Sequence, residues 1–296
     1  MAIELVTKYL PYVDERFSRD SKTSILTNQD FDFTGAKIVK VYKISTAPMN
    51  NYLRVPVDEY DYTKSRYGTP KGLDATTETF EMEHDRSFTF AIDKLDTDET
   101  AEQLEGAKCL NRQLVEVVIP EIDVNTYKVM TENAGTTATA VEITEKNIYD
   151  LITLATEALD NADVPQEGRT LTVTPHVYRM MKKSPDIILN TDIGEDMRIK
   201  GVIGNLDGAV VLKETAQRLP EGFGFMLSHN SATVAPQKLA DYKIHHDPPG
   251  ISGDLIEGRV VYDAFVLENK VKGIYLQPIP VTTTPVTPSQ SDESEK

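Results

Sequence analysis

The chain has 296 residues, 40% of them hydrophobic, and a formal net charge of -16 from 47 acidic and 31 basic residues. That length suits two domains or one large elaborated one with a sizeable core. The acidic balance argues against a protein that grips nucleic acid by its phosphates, though not against one that encloses it.

Cys109 is the one cysteine, so no intramolecular disulfide can form and a reducing compartment is the natural reading. No apolar run approaches the ~20 residues of a membrane span. The first twenty residues carry early acids and lack the charged-then-apolar order of a signal peptide. The expectation is a protein made and used in a cytoplasm, without a membrane partner.

Residues 1–33 mix short apolar clusters with charges and hold too little apolar surface to fold alone. They read as a frayed terminus or an arm lying on something else. "GAKIVKVYKI" (35–44) is a β-branched strand candidate. "YLRVPVDEYDY" (52–62) is a second extended piece, and Pro56 makes it an edge or bulged strand. "TKSRYGTPKGLDA" (63–75) reads as a loop.

"TFEMEHDRSFTFAID" (79–93) then alternates with period two. Phe80, Met82, Phe88, Phe90 and Ile92 lie on one side, with His84 and Arg86 interrupting that side at its middle. Glu81, Glu83, Asp85, Ser87, Thr89 and Asp93 lie on the other. Fully extended, the stretch would span roughly 50 Å, about twice an ordinary strand. Residues 52–93 therefore predict a long hairpin with a basic tip, where Lys64, Arg66 and Lys71 are opposed only by Asp74. Such a hairpin is marginal unless something packs beneath it.

A long helix is expected over 96–130. Asp96, Thr97 and Asp98 are possible caps, and Ala101, Leu104, Ala107, Leu110, Leu114, Val117 and Val118 form one stripe. Pro120 should kink or interrupt it, and Cys109 reads as a small packed side chain. "TEKNIYDLITLATEALDNA" (144–162) gives the cleanest helix, with Thr144 as a candidate N-cap. A strand over 169–174 leads into a helix capped by Thr174, with Pro175 at its first position. This middle part reads as α/β.

From about 199 short strands alternate with turns, and "RVVYDAFVL", "ENK" and "VKGIYL" predict a hairpin. The Pro-, Thr- and Ser-rich stretch 281–296 predicts a disordered tail.

Motifs that carry chemistry are missing. There is no phosphate loop, dinucleotide fingerprint or paired-cysteine zinc motif, and "GVIGNLDG" (201–208) reads as turns. Ser228 beside His229 lacks the glycines of a nucleophile elbow. "HHDPPG" places His245 and His246 on opposite faces of a strand, so they would not share a metal without other ligands. The expectation is no enzyme, catalytic residue, cofactor or metal. The weight moves to assembly, with Lys64, Arg66, Lys71, Glu81, Glu83, Asp85 and Arg86 as candidate contacts between subunits. Head-to-tail contacts of that kind close into rings or shells.

The order of elements, ending in "GRVVYDAFVLENKVKGIY" (258–275), resembles the major capsid proteins of tailed bacteriophages, with their α+β Hong Kong 97-like fold. "TLTVTPHVYRMMKKSP" resembles the strand-to-helix step of that family's apical domain.

The resemblance implies an N-arm over 1–33, and a strand, extended loop (52–93) and spine helix (96–130) of a peripheral domain within 34–143. It further implies an axial domain over 144–250 and a return to the peripheral domain over 251–280. It implies hexamers and pentamers that form an icosahedral shell around double-stranded DNA, without sequence-specific binding, in a virion assembled in a bacterial cytoplasm. A separate scaffolding protein, or a chain already mature, is implied by the short arm, and a portal and a maturation protease are partners the family admits. Some members crosslink a loop lysine to a neighbour's asparagine. Lys64 and Lys71 lie in the right region, but no matching asparagine or glutamate is evident. The alternatives are an encapsulin-like compartment shell, another virion structural protein, and a metal-assisted hydrolase using His245, His246 and Asp247.

Overall fold

The computed structural model describes residues 21–28, 38–44, 46–52, 66–68, 71–72, 75–95, 106–185, 187 and 202–280. Lys64, the start of the expected spine helix and the tail 281–296 lie outside these residues. The chain divides into two compact units, one of Met1–Asp32 with His84–Lys296 and a smaller one of Phe33–Glu83.

In the smaller unit, β1 (Ile38–Ile44) and β2 (Ala75–Glu81) form a two-stranded antiparallel sheet, with Ile38 opposite Glu81 and Ile44 opposite Ala75. A Lys43–Glu78 ion pair at 3.2 Å braces it. The alternating stretch 79–93 is thus two strands and not one ribbon. It breaks at Met82–Glu83, and its second half, β3 (His84–Asp93), belongs to a different sheet.

The larger unit is built around a long helix and two sheets. The helix runs through α1 (Gly106–Gln113), a π-helical turn (Leu114–Val118) and α2 (Ile119–Glu132). The π turn explains how Pro120 is carried. A proline inside a helix has no N–H and crowds the carbonyl four residues back, here that of Glu116. The widened turn shifts the ladder ahead of it, and the Ile119 N–H bonds to the Leu114 carbonyl. Pro120 then sits in the first turn of α2, where it is tolerated.

The six-stranded sheet has the order β4-β13-β8-β5-β7-β6. Its members are β4 (Thr136–Thr137), β5 (Arg169–Val173), β6 (Val202–Leu206), β7 (Ala209–Lys213), β8 (Phe223–His229) and β13 (Ile274–Pro278). On one face lie α3 (Ile148–Asn161) and α4 (Pro175–Lys183), packed through Ile148, Ile152, Ala155, Leu159, Val177 and Met181 onto Leu171, Val211 and Phe225. On the other face Tyr127 and Met130 of α2 meet Leu212, Met226 and Ile274, and Leu26 joins them. Thr174 caps α4 as the sequence predicts, accepting from the Val177 N–H at 3.2 Å, with Pro175 at the start. At α3 the N-cap position is Asn147, and Thr144 instead donates its backbone N–H to the Asn147 Oδ1.

A three-stranded antiparallel sheet, β10 (Gln237–His246), β11 (Gly253–Tyr262) and β3, completes the unit, while β9 (Thr233–Val234) pairs with β12 (Phe265–Val266). The hairpin expected from "RVVYDAFVLENKVKGIYL" does not form. Glu268–Gly273 winds into a 3₁₀ turn, which carries the chain out of one sheet and delivers β13 to β8. Conversely, β10 pairs with β11 and not with the strands of the α/β part.

Candidate assembly surface

The candidate contact residues fall on both units. Arg66, Lys71, Glu81 and Glu83 are exposed in the smaller unit. The loops there also present Met49, Tyr52 and Tyr67 to solvent, Tyr52 lying edge-on to Tyr67 at 5.2 Å. Asp85 and Arg86 belong to β3 in the larger unit, and both have partners within the chain.

Period-two geometry decides those partners. Residues 84, 86, 88, 90 and 92 of β3 share a face with Ile256, Gly258, Val260 and Tyr262 of β11. This face meets the long helix, since a Cβ at Gly106 would touch Ile244 and Ile256. Here His84 stacks on Tyr262 with ring centroids 5.3 Å apart. The Arg86 Nε donates to the Glu121 Oε1 at 2.7 Å, and that oxygen also accepts from the Tyr262 hydroxyl at 3.0 Å. Burial first, and then the Glu121 carboxylate, push the Tyr262 phenol up to about 12. His84 and Arg86, which interrupt the apolar side in the sequence, are thus the positions with polar partners across the sheet and on the helix. Beside them a cavity of about 130 Å³ opens between sheet and π turn, lined by Phe88, Val117, Val118, Glu121, Val260 and Tyr262.

Gly258 stands between Tyr242 and Phe88 in the ladder. A Cβ there would sit 2.3 Å from the Phe88 ring. The ring therefore lies directly across the glycine, covering backbone that would otherwise be bare.

The opposite face of the sheet is polar. Asp85 takes a two-pronged contact from Arg259, with the Nε donating at 2.8 Å, and this guanidinium holds the Asp85 carboxyl below its ordinary value. Lys243 pairs with Asp241 at 3.0 Å, and His245 lies 3.4 Å from Glu257. A shallow hollow of about 360 Å³ runs among Thr89, Asp241, Lys243, Glu257 and Arg259.

His245 and His246 diverge, as adjacent strand residues must. The His246 Nδ1 lies 2.6 Å from Asp254, and Asp247 accepts the Gly253 N–H at 3.1 Å. Among the described residues no three His, Cys, Asp or Glu side chains gather as metal ligands do. The three residues of the hydrolase alternative therefore do not converge.

A buried polar knot beneath the N-terminal segment has no counterpart among the sequence expectations. Asp123 of α2 is fully buried and accepts from Ser21 at 2.7 Å, from Thr23 at 3.2 Å and from Arg218 at 2.7 Å. Lys22 donates to the Lys213 carbonyl at 2.8 Å and lies 3.9 Å from Glu214. The one sequence signal is Asp123 at helical spacing, four and seven residues before the apolar Tyr127 and Met130. Its partners are about a hundred residues away in both directions and share no local pattern.

No protein-family model and no curated protein matches the chain. Solved structures do. The capsid of the cyanophage P-SCSP1u superposes with a TM-score of 0.67 at 12% identity, covering 93% of each chain. The mature capsid of bacteriophage PhiM1 gives 0.66 at 12% identity, covering 95% of this chain and 93% of the other. A structure from Mycobacterium phage Che8 gives 0.62 at 19% identity, covering 92% and 98%. Over 92–95% of its length the chain thus has the α+β fold of phage capsid structures.

Proposed function

We propose that the chain is the major capsid protein of a tailed phage, and that copies of it associate as hexamers and pentamers into the icosahedral head that encloses double-stranded DNA. The observation that carries this is the two-way coverage: the capsid chains of P-SCSP1u and PhiM1 match over 93% of their own length. The likeness is to a whole subunit and not to a single domain of one.

Within this reading the six-stranded sheet with α3 and α4 forms the axial part, so β13 falls there and β10 in the peripheral part, each across the boundaries of 144–250 and 251–280 that the resemblance implies. The long helix and the three-stranded sheet form the peripheral part, and the smaller unit is the extended loop. Exposed charges at Arg66, Lys71, Glu81, Glu83, Asp85 and Arg86, together with Lys64, contact neighbouring copies. The role is structural. The described site offers ion pairs and shape, and its acidic whole disfavours adhesion to phosphate. No described helix is long and apolar enough to cross a membrane. The protein acts in the virion after assembly in the host cytoplasm, with a scaffolding protein, portal and maturation protease as partners.

The test is negative-stain electron microscopy of the full-length chain, expressed alone and with a scaffolding protein. Closed shells or free hexamers and pentamers are expected. A monomer under both conditions would overturn the reading.

A further inference from the structure

The outer surfaces of α3 and α4 carry opposite charge. On α3 the exposed stripe is Asp150, Leu154, Glu157 and Asn161, opposite the buried Ile148, Ile152, Ala155 and Leu159. Leu154, at its centre, is 52% exposed. On α4 the exposed side chains include Arg179, Lys182 and Lys183. Lys182 and Lys213 of β7 both hold their ammonium groups against the Tyr178 ring, at 5.0 and 5.1 Å from its centroid. Among the described residues, none of Asp150, Glu157, Arg179, Lys182 and Lys183 has an ion-pair partner, while most charges of the three-stranded sheet do.

The two helices cover the same face of the six-stranded sheet but different halves of it. α3 packs toward β13 at one end of the strand order, and α4 reaches β7 near the other. A basic patch and an acidic patch therefore lie at separate places on the outer surface of one layer. We propose that the α4 flank of one copy docks on the α3 flank of the next, a heterologous contact that repeats around a ring. The inference rests on the proposed function and names the surfaces that join the axial parts.

Charge complementarity selects a second copy as the occupant. A chain of net charge -16 presents few basic surfaces, and the carboxylates they fit are supplied by every other copy. Double-stranded DNA is the weaker fit, because a duplex laid on α4 would also face Asp150 and Glu157 in the same layer. Leu154 gives the acidic flank an apolar centre, and the Tyr178 ring fixes the position of Lys182 on the basic one. Neighbouring ammonium groups on one ring cost self-repulsion in the isolated chain, which an incoming carboxylate relieves.

The experiment is a charge swap in the full-length protein, read by electron microscopy and sedimentation, with thermal unfolding to check the fold. The variant Arg179→Glu/Lys182→Glu/Lys183→Glu is expected to stay folded and lose rings and shells. Adding Asp150→Lys/Glu157→Lys to the same chain is expected to restore them. Carbodiimide, which joins a carboxylate to an amine in direct contact, is expected to link Asp150 or Glu157 of one wild-type copy to Lys182 or Lys183 of another. Assembly of the α4 variant at wild-type yield, failure of the second set to restore assembly, or crosslinks only elsewhere would each overturn the docking. Loss of DNA retention with shells intact would assign α4 to nucleic acid instead. If the wild-type chain itself never assembles, the proposed function fails first.

Discussion

Arg218 and Asp123 form an ion pair sealed inside the larger unit, with Nη1 2.7 Å from Oδ2 and side chains 7% and 0% exposed. Ser21 and Thr23 complete the coordination of the carboxylate, so the pair also fastens the N-terminal segment to α2. Removing one partner leaves the other charge buried. Arg218→Ala should destabilise the fold by about 3–5 kcal/mol. Asp123→Asn keeps hydrogen-bonding capacity but leaves the Arg218 charge buried without its counter-charge, so it should be similarly destabilising. Urea unfolding of both variants checks this.

Leu26 anchors the same segment by packing. It is fully buried against Tyr127, Met130 and their neighbours. Leu26→Ala should lower stability by about 2–5 kcal/mol, the range for a buried leucine whose cavity cannot collapse. A loss under about 1 kcal/mol would mean that residues 21–28 are not part of the folded core in solution.

Gly258 and Phe88 should be coupled. Gly258→Ala places a methyl group against the Phe88 ring, and overpacking of this kind costs about 1–3 kcal/mol. In a Phe88→Ala background the same substitution should be nearly neutral. A double-mutant cycle by thermal or urea unfolding measures the difference, and additive effects would contradict the geometry.

Arg86 lies at the surface, and its Glu121 pair is partly solvated. Arg86→Ala should change the stability of the isolated chain by no more than about 1 kcal/mol. If Arg86 also contacts a neighbouring copy, the yield of assembled particles should fall well beyond that. Unchanged yield by sedimentation would remove Arg86 from the contacts between copies.

His229 predicts a pH dependence. Its Nε2 lies 2.8 Å from the Glu167 carbonyl, and its Nδ1 accepts the Ser231 N–H at 3.2 Å, an arrangement that requires the neutral ring. Burial, aided by Lys270 and Arg169, lowers its pKa against the opposing pull of the Glu167 carbonyl. The folded state therefore binds fewer protons than the unfolded one. The stabilisation is fully present above the unfolded value of about 6.5 and is lost as pH falls from there through the folded value. His229→Gln should flatten that slope in unfolding midpoints measured across the window.

What was legible in the sequence was local. The period of α3, the Thr174–Pro175 start of α4 and the alternation of 79–93 each follow from neighbouring residues, and so does the divergence of His245 and His246. Strand partners were not legible. Nothing in "TFEMEHDRSFTFAID" says that its first half pairs with Ile38–Ile44 and its second with Gly253–Tyr262, because pairing is fixed by packing between distant segments. The hint was the polar interruption at His84 and Arg86, where the apolar side gives way just after the strand changes sheets. Asp123 sits in the sequence like a misplaced acid, and only the fold brings Arg218, Ser21 and Thr23 to it.

The most direct test of the proposed function is cryo-electron microscopy of the purified protein. The proposed function predicts a closed icosahedral shell built of this chain, with the six-stranded sheets around the fivefold and quasi-sixfold axes. A protein that remains monomeric, or particles in which those sheets face away from the axes, would contradict it.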